Sequence, residues 1–196
     1  MNPLPASFYN SLVNIFYNKR FLKAIQTEVG PTRGMRILDV PCGTGILMHC
    51  CKPSSYVGAD IDTNRVFDAG FRYPGEAFVV SDASALSFAE NQFDLILASG
   101  LFHHVDDKIS SAILSEFRRV LSPGGKIVVI EAIWPRNKFN VIGYVGRKMD
   151  QGKFVRNAPA YEKLFRQFFK IHKKYYFLNL GFEYLFATLI PDGGMH

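Results

Sequence analysis

ILDVPCGTGIL, residues 37 to 47, reads as a short aliphatic strand closing on an acid, Asp39, then a turn of small residues, then the start of a helix. Gly43 and Gly45 carry no Cβ and tolerate unusual dihedrals, so the turn lets backbone N–H groups come close to a ligand. A nucleotide-like ligand suits that shape. A dinucleotide fingerprint GxGxxG demands a third glycine at position 48, where Met48 stands, and a phosphate-cradling Walker loop demands Gly-Lys followed by Ser or Thr, which is missing.

Outward from this stretch, strand-like and helix-like segments alternate. Strand-like runs are Tyr56 to Asp60, Ala77 to Val80, Phe93 to Ala98 and Lys126 to Ala132, with a helix over Lys108 to Leu121 that Asp106 or Asp107 caps. Parallel strands need crossover connections, so the pattern predicts an α/β, Rossmann-like, doubly wound sheet of seven mostly parallel strands, helices on both faces. Pro159 to Lys174 has helical spacing through Tyr161, Leu164, Phe165, Phe168 and Ile171; Tyr175 to Asn179 and Phe182 to Ile190 then read as two strands joined at Gly181, hence an antiparallel C-terminal pair. From Phe8 to Ile25 the apolar positions predict one or two amphipathic helices.

The chain of 196 residues is expected to form a single domain: N-terminal lid helices over 1–30, a core over 35–132, a basic insert over 134–156, and a C-terminal helix with closing strands over 159–190. With 48% apolar residues and 20% charged, there is ample material for a core, which excludes general disorder. Three cysteines, Cys42, Cys50 and Cys51, make neither a disulfide framework nor a zinc set, so free thiols and no metal are expected. No apolar run approaches the roughly 18 residues of a spanning helix. Basic residues first appear at Lys19 and Arg20, after the apolar positions, the reverse of a secretory signal, so a cytoplasmic location is the default expectation. The net charge of +6 favours anionic partners, with phosphate, nucleic acid and acidic lipid all compatible.

Five segments in order, ILDVPCGTGIL, VGADID, VVSDASALSF, FDLILASGLFHHVDD and RVLSPGGKIVVIE, resemble the class I S-adenosylmethionine-dependent methyltransferases. The resemblance implies S-adenosyl-L-methionine as cofactor. Asp39, Cys42, Gly43, Thr44 and Gly45 would hold its methionine part, Asp60 with the adjoining Ile61 its ribose, Asp82 and Ala83 its adenine, and Ser99 would lie beneath it at the fourth-strand exit. Asp62 is second choice for the ribose. Pro41 departs from the glycine of many members and removes one N–H. His103, His104 and Asp106 are candidates for proton transfer, with Glu131 a further one, and Tyr9 and Tyr17 would close over the cofactor.

The insert 134–156 carries Arg136, Lys138, Arg147, Lys148, Lys153 and Arg156 against one acid, Asp150. Leaving the fifth strand at its C-terminal end, it lies over the mouth of the site, so Arg147 and Arg156 are expected to bind an anionic, small-molecule or lipid-headgroup acceptor; its other reading is a solvated face. An RNA methyltransferase, supported by charge, and a non-catalytic binding protein on the same fold are the alternatives. Bland roles compete for the acids as well: Asp60 and Asp82 would each serve as a helix cap.

Overall fold

The computed structural model describes residues 16–51, 55–149 and 152–192. One seven-stranded sheet carries β1 (Arg36–Asp39), β2 (Ser55–Asp60), β3 (Ala77–Val80), β4 (Phe93–Ser99), β5 (Leu121–Ala132), β6 (Lys170–Asn179) and β7 (Phe182–Ile190) in the spatial order β3-β2-β1-β4-β5-β7-β6. β7 alone runs antiparallel, to both β5 and β6. The helices are α1 (Lys19–Val29), α2 (Thr63–Arg72), α3 (Asp107–Val120), α4 (Val141–Met149) and α5 (Ala158–Phe165). The expected α/β architecture is therefore the observed one.

Alternate residues of the central strands feed two cores, as the strand period of two requires. Leu38, Ile96, Ala98, Ile127 and Val129 pack toward α3 and α5, against Phe117, Leu164 and Phe165. On the other face Ile37, Leu95, Leu97, Val128 and Ile130 pack toward α1, against Phe21, Ile25 and Val29. Asn18 caps α1 by accepting from the Phe21 amide, and Asp106 caps α3 by accepting from the Ile109 amide.

Two expectations are corrected. The helix expected over 159–174 ends at Phe165, and residues 170–174 belong to β6, where Ile171 faces Leu189 and Lys173 faces Thr188. Phe168 and Ile171 fit a helical spacing, but the ladder with β7 overrides it. The exposed lysines 170, 173 and 174 then suit an edge strand, which charge protects from further pairing. The helix expected after the glycine turn is only a short 3-10 segment, Ile46–Cys50. The hairpin joint is as expected, with Leu180 and Gly181 both at positive φ (52° and 85°) between the paired Asn179 and Phe182, the conformation of a two-residue type I′ turn.

Candidate active site

The C-terminal ends of β1, β2, β3, β4 and β5 bring most of the candidate residues to one end of the sheet. At the tip of β1, Asp39 is fully buried, its Oδ2 accepting from the Tyr56 hydroxyl at 2.5 Å, while its Oδ1 has no partner among the described residues. Burial pushes this carboxyl up to about 7; the Tyr56 bond opposes the rise and the charge of Asp60 adds to it. In the turn that follows, Gly43 and Gly45 take φ of +53° and +79°, values that a side chain resists. Gly45 has a second reason to be glycine, since a Cβ there would sit 2.8 Å from the Tyr73 ring. Thr44 and Cys42 are buried beside it, the thiol of Cys42 lying against the Gly43 carbonyl. All three cysteines are free and buried, and burial raises Cys50 to about 11 and Cys51 to about 12, so none is poised as a nucleophile.

Asp60 closes β2 and is nearly inaccessible: Oδ2 accepts from the Gly43 amide at 2.8 Å and Oδ1 from the Asp62 amide at 3.0 Å. It thus ties the glycine turn to β2. The capping role considered for Asp60 falls to Asp62, which accepts from the amides of Asn64 and Arg65 at the start of α2. Ile61 is exposed between them. Beyond β3, Asp82 is exposed and turns the chain by accepting from the amide and hydroxyl of Ser84, with Ala83 packed toward the core. At the end of β4 the Ser99 hydroxyl meets that of Tyr17 at 2.8 Å, so the segment before α1 does cross the strand tips. Tyr9 lies outside the described residues.

Between β4 and α3 the chain makes a short 3-10 turn, Phe102–His104, whose conformation one carboxylate organises. Glu131, fully buried at the end of β5, takes the amides of Leu101 and Phe102 on Oε1, each at 2.7 Å, and holds His103 Nδ1 at 2.8 Å from Oε2, where the Tyr161 hydroxyl also donates at 3.5 Å. A carboxylate only accepts, so the contact places the proton on Nδ1 and makes Nε2 the basic nitrogen of the neutral ring. His104 is exposed and its ring lies tilted by 40° against that of His103, with centroids 4.0 Å apart. Asp106, a proton-transfer candidate in the sequence, is spent instead as the cap of α3. Among the described residues no cluster of His, Cys, Asp or Glu is placed to hold a metal ion, and no helix is long and apolar enough to cross a membrane.

A family described as "Methyltransferase domain" matches residues 38–129. The ubiquinone/menaquinone biosynthesis C-methyltransferase UbiE of Shewanella oneidensis is 30% identical over 204 residues, covering 89% of this chain and 77% of that protein. The chain belongs to the class I S-adenosylmethionine-dependent methyltransferases. UbiE of Desulfotalea psychrophila is 32% identical over 132 residues, 64% of this chain and 53% of that protein, so the match spans only about half the length of that relative. Among solved structures, the methyltransferase chain of a Haloferax volcanii complex with the Trm112 methyltransferase activator superposes with a TM-score of 0.81 at 15% identity, covering 97% of this chain and 96% of that one. A Pyrococcus horikoshii protein gives 0.67 at 21% identity, covering 94% and 91%; both likenesses concern the fold.

For a methyltransferase of this family the residues present fit the cofactor. A buried carboxylate oxygen without a partner, as at Asp39 Oδ1, is costly in an empty protein and suits an ammonium such as that of the cofactor's methionine part. The two basic residues assigned to an anionic acceptor do not fit that role. Arg147 is buried, donating to the carbonyls of Ile133 and Glu183 and lying over the rings of Phe182 and Tyr184. Arg156 donates to the carbonyls of Phe102 and Val105 and to Asp107. Both guanidinium forks clamp the insert to the protein, and the charge run alone gave no sign of it. Tyr56 and Tyr161, which complete the hydrogen bonding of Asp39 and Glu131, were also invisible in the sequence, because their partners lie 17 and 30 residues away with no local signature.

Proposed function

We propose that this methyltransferase moves the methyl group of S-adenosylmethionine onto a small lipid-linked acceptor and that His103, steered by Glu131, accepts the proton the acceptor loses. The observation that carries the reading is that the orphaned Asp39 oxygen, at the end of β1, and the Glu131–His103 contact, across the ends of β5 and β4, stand at the same end of the sheet. When bound, the cofactor supplies a methyl already activated on a sulfonium. The chain's contribution is then chiefly alignment, for which effective molarity supplies about 7–11 kcal/mol of the barrier. Asp39 orients one end of the cofactor by its ammonium, Asp60 holds the glycine turn to β2, and Tyr17 over Ser99 covers the strand tips against water. A base is needed where the acceptor carries O–H, N–H or acidic C–H, and an imidazole with a fixed tautomer suits it.

The lipid-linked class is supported by the names of the relatives, which place them in ubiquinone and menaquinone biosynthesis. It is supported too by the inward commitment of Arg147 and Arg156, which leaves the anionic alternative without its two cations. Calorimetry with S-adenosylmethionine and with S-adenosylhomocysteine, followed by transfer of a labelled methyl group into organic-extractable compounds, tests the reading. Saturable binding of both nucleosides and label in the organic phase are expected. An absence of nucleoside binding removes the enzyme, and label confined to water-soluble products or RNA removes the lipid-linked acceptor.

A further inference from the structure

We infer that the outer face of α4 is a docking surface for an anionic lipid bilayer. Helices on a protein surface ordinarily turn apolar side chains inward and charge outward. α4 does the reverse. Its inner face is Gly143, Gly146 and Arg147: a Cβ at Gly143 would stand 2.8 Å from Pro135 and 2.9 Å from the Gly181 carbonyl, and one at Gly146 would stand 2.1 Å from the Phe182 ring. The two glycines let the helix press on the β6–β7 hairpin, and Arg147 is buried there on the Ile133 and Glu183 carbonyls. The Asn140 side chain completes the clamp, donating to the Gly181 carbonyl and accepting from the Gly143 amide.

With that face fixed, Val141, Ile142, Val145 and Met149 point outward, joined by Phe139 before the helix and Leu180 at the hairpin tip, each between 52% and 80% exposed. Positions 141, 142, 145 and 149 form one helical stripe, so the exposure is a continuous apolar surface rather than scattered residues. Exposed Lys138, beside Phe139, and Lys148, on the helix itself, border it, and Asp150 is the sole acid of the 134–156 segment. The occupant follows from that charge: an apolar stripe with a lysine border matches the acyl boundary and phosphates of an anionic leaflet. A second apolar pair, Phe67 and Phe71 on α2, lacks this feature, because its neighbours Arg65 and Arg72 are paired with Asp62 and Asp68.

The surface also lies where a lipid-soluble acceptor would have to enter. The hairpin tip is at the same end of the sheet as the C-terminus of β5, and the insert returns from α4 directly onto the candidate base, the Phe154 amide bonding the His103 carbonyl. Docking stands on the surface itself; its use in delivering acceptor rests on the function proposed above.

Sedimentation with vesicles of phosphatidylcholine, alone or mixed with phosphatidylglycerol, tests the inference, with nucleoside binding measured calorimetrically on the same protein. Binding to the mixed vesicles, negligible binding to the neutral ones, and a several-fold loss as salt is raised are expected. The triple variant I142S/V145S/M149S should lose binding about tenfold or more at an unchanged melting temperature, since these side chains face outward, and F67S/F71S should bind as the parent does. Failure to bind mixed vesicles, binding that survives the triple variant, or loss with F67S/F71S alone overturns it. So does a dimer that the triple variant converts to monomer without any vesicle binding, which would assign the stripe to a second copy. Because nucleoside binding is read separately, a failed docking surface and a failed methyltransferase assignment give different results.

Discussion

Glu131 and His103 are joined across the ends of two adjacent strands, Oε2 to Nδ1 at 2.8 Å, by a carboxylate whose other oxygen already fixes the two amides preceding the histidine. The one side chain therefore sets both the position of the ring and its tautomer. His103→Asn keeps a donor for Glu131 and should leave stability and cofactor affinity near the parent values while methyl transfer drops about 10²–10⁴-fold. Glu131→Gln is a different experiment. Glu131 only receives hydrogen bonds, so an amide turns one acceptor into a donor facing donors, costing about 1–3 kcal/mol in stability as well as activity. Chemical denaturation and single-turnover transfer separate the two effects, and a His103→Asn variant with undiminished turnover would remove the base assignment.

The pH dependence of Asp39 has a definite sign. Its folded-state carboxyl is raised from the ordinary carboxylate range to about 7, so the native state binds more protons than the unfolded state between those values. Stability from this group is complete at low pH and is lost as pH climbs to about 7. Asp39→Asn can still accept from Tyr56 and should flatten the dependence, leaving the empty variant more stable than the parent at pH about 8. Cofactor binding should run the other way, with affinity rising toward neutrality as the carboxylate ionises to meet the ammonium. Melting curves across pH and calorimetry in buffers of different ionisation heat check both halves.

Asp60 is expected to control cofactor affinity partly through the turn it holds. Asp60→Ala removes the acceptor for the Gly43 and Asp62 amides together with the carboxylate proposed for the ribose, and should weaken S-adenosylmethionine by about 1.5–3 kcal/mol. Asp60→Asn retains a single acceptor oxygen and should fall between. Equal calorimetric affinities in all three proteins would remove the ribose assignment.

What the sequence disclosed and what it withheld divide along one physical line. The glycine turn, the acids at the strand tips, the strand-helix alternation and the hairpin at Gly181 are local: residue type alone imposes the dihedral, the cap or the period. The fate of residues 170–174 was not local, because Phe168 and Ile171 suit helix or strand equally and the ladder from Ile171 to Leu189 decides. Arg147 was misread for a related reason. Its charge was legible, but the pocket between Ile133, Phe182 and Glu183 that swallows it is assembled from segments far apart in the chain.

Arg147 should therefore behave as part of the fold. Arg147→Ala strands two buried carbonyls and removes the stacking on Phe182 and Tyr184, and a loss of about 2–4 kcal/mol is expected with cofactor affinity unchanged. Arg147→Lys keeps the charge without the planar fork and should recover only part of it. Denaturant melts with parallel calorimetry decide; a stable Arg147→Ala protein with impaired acceptor use would restore the substrate role.

Gly152 offers a way to perturb the candidate base without touching it. A Cβ at this position would stand 2.3 Å from His103 Cδ2 and 2.9 Å from its carbonyl oxygen, closer than atoms can pack, so Gly152→Ala must push the imidazole or the return arm of the insert aside. The strand tips that hold the cofactor are on other segments. The variant should keep S-adenosylmethionine affinity within about twofold while turnover falls by about tenfold or more, since small misplacements of a catalytic group are costly. Because Glu131 pins Nδ1, the His103 ring has little freedom to yield, which makes the displacement visible as a changed imidazole chemical shift. Unaltered turnover together with an unaltered imidazole signal would mean that the insert adapts and that this contact does not position the ring.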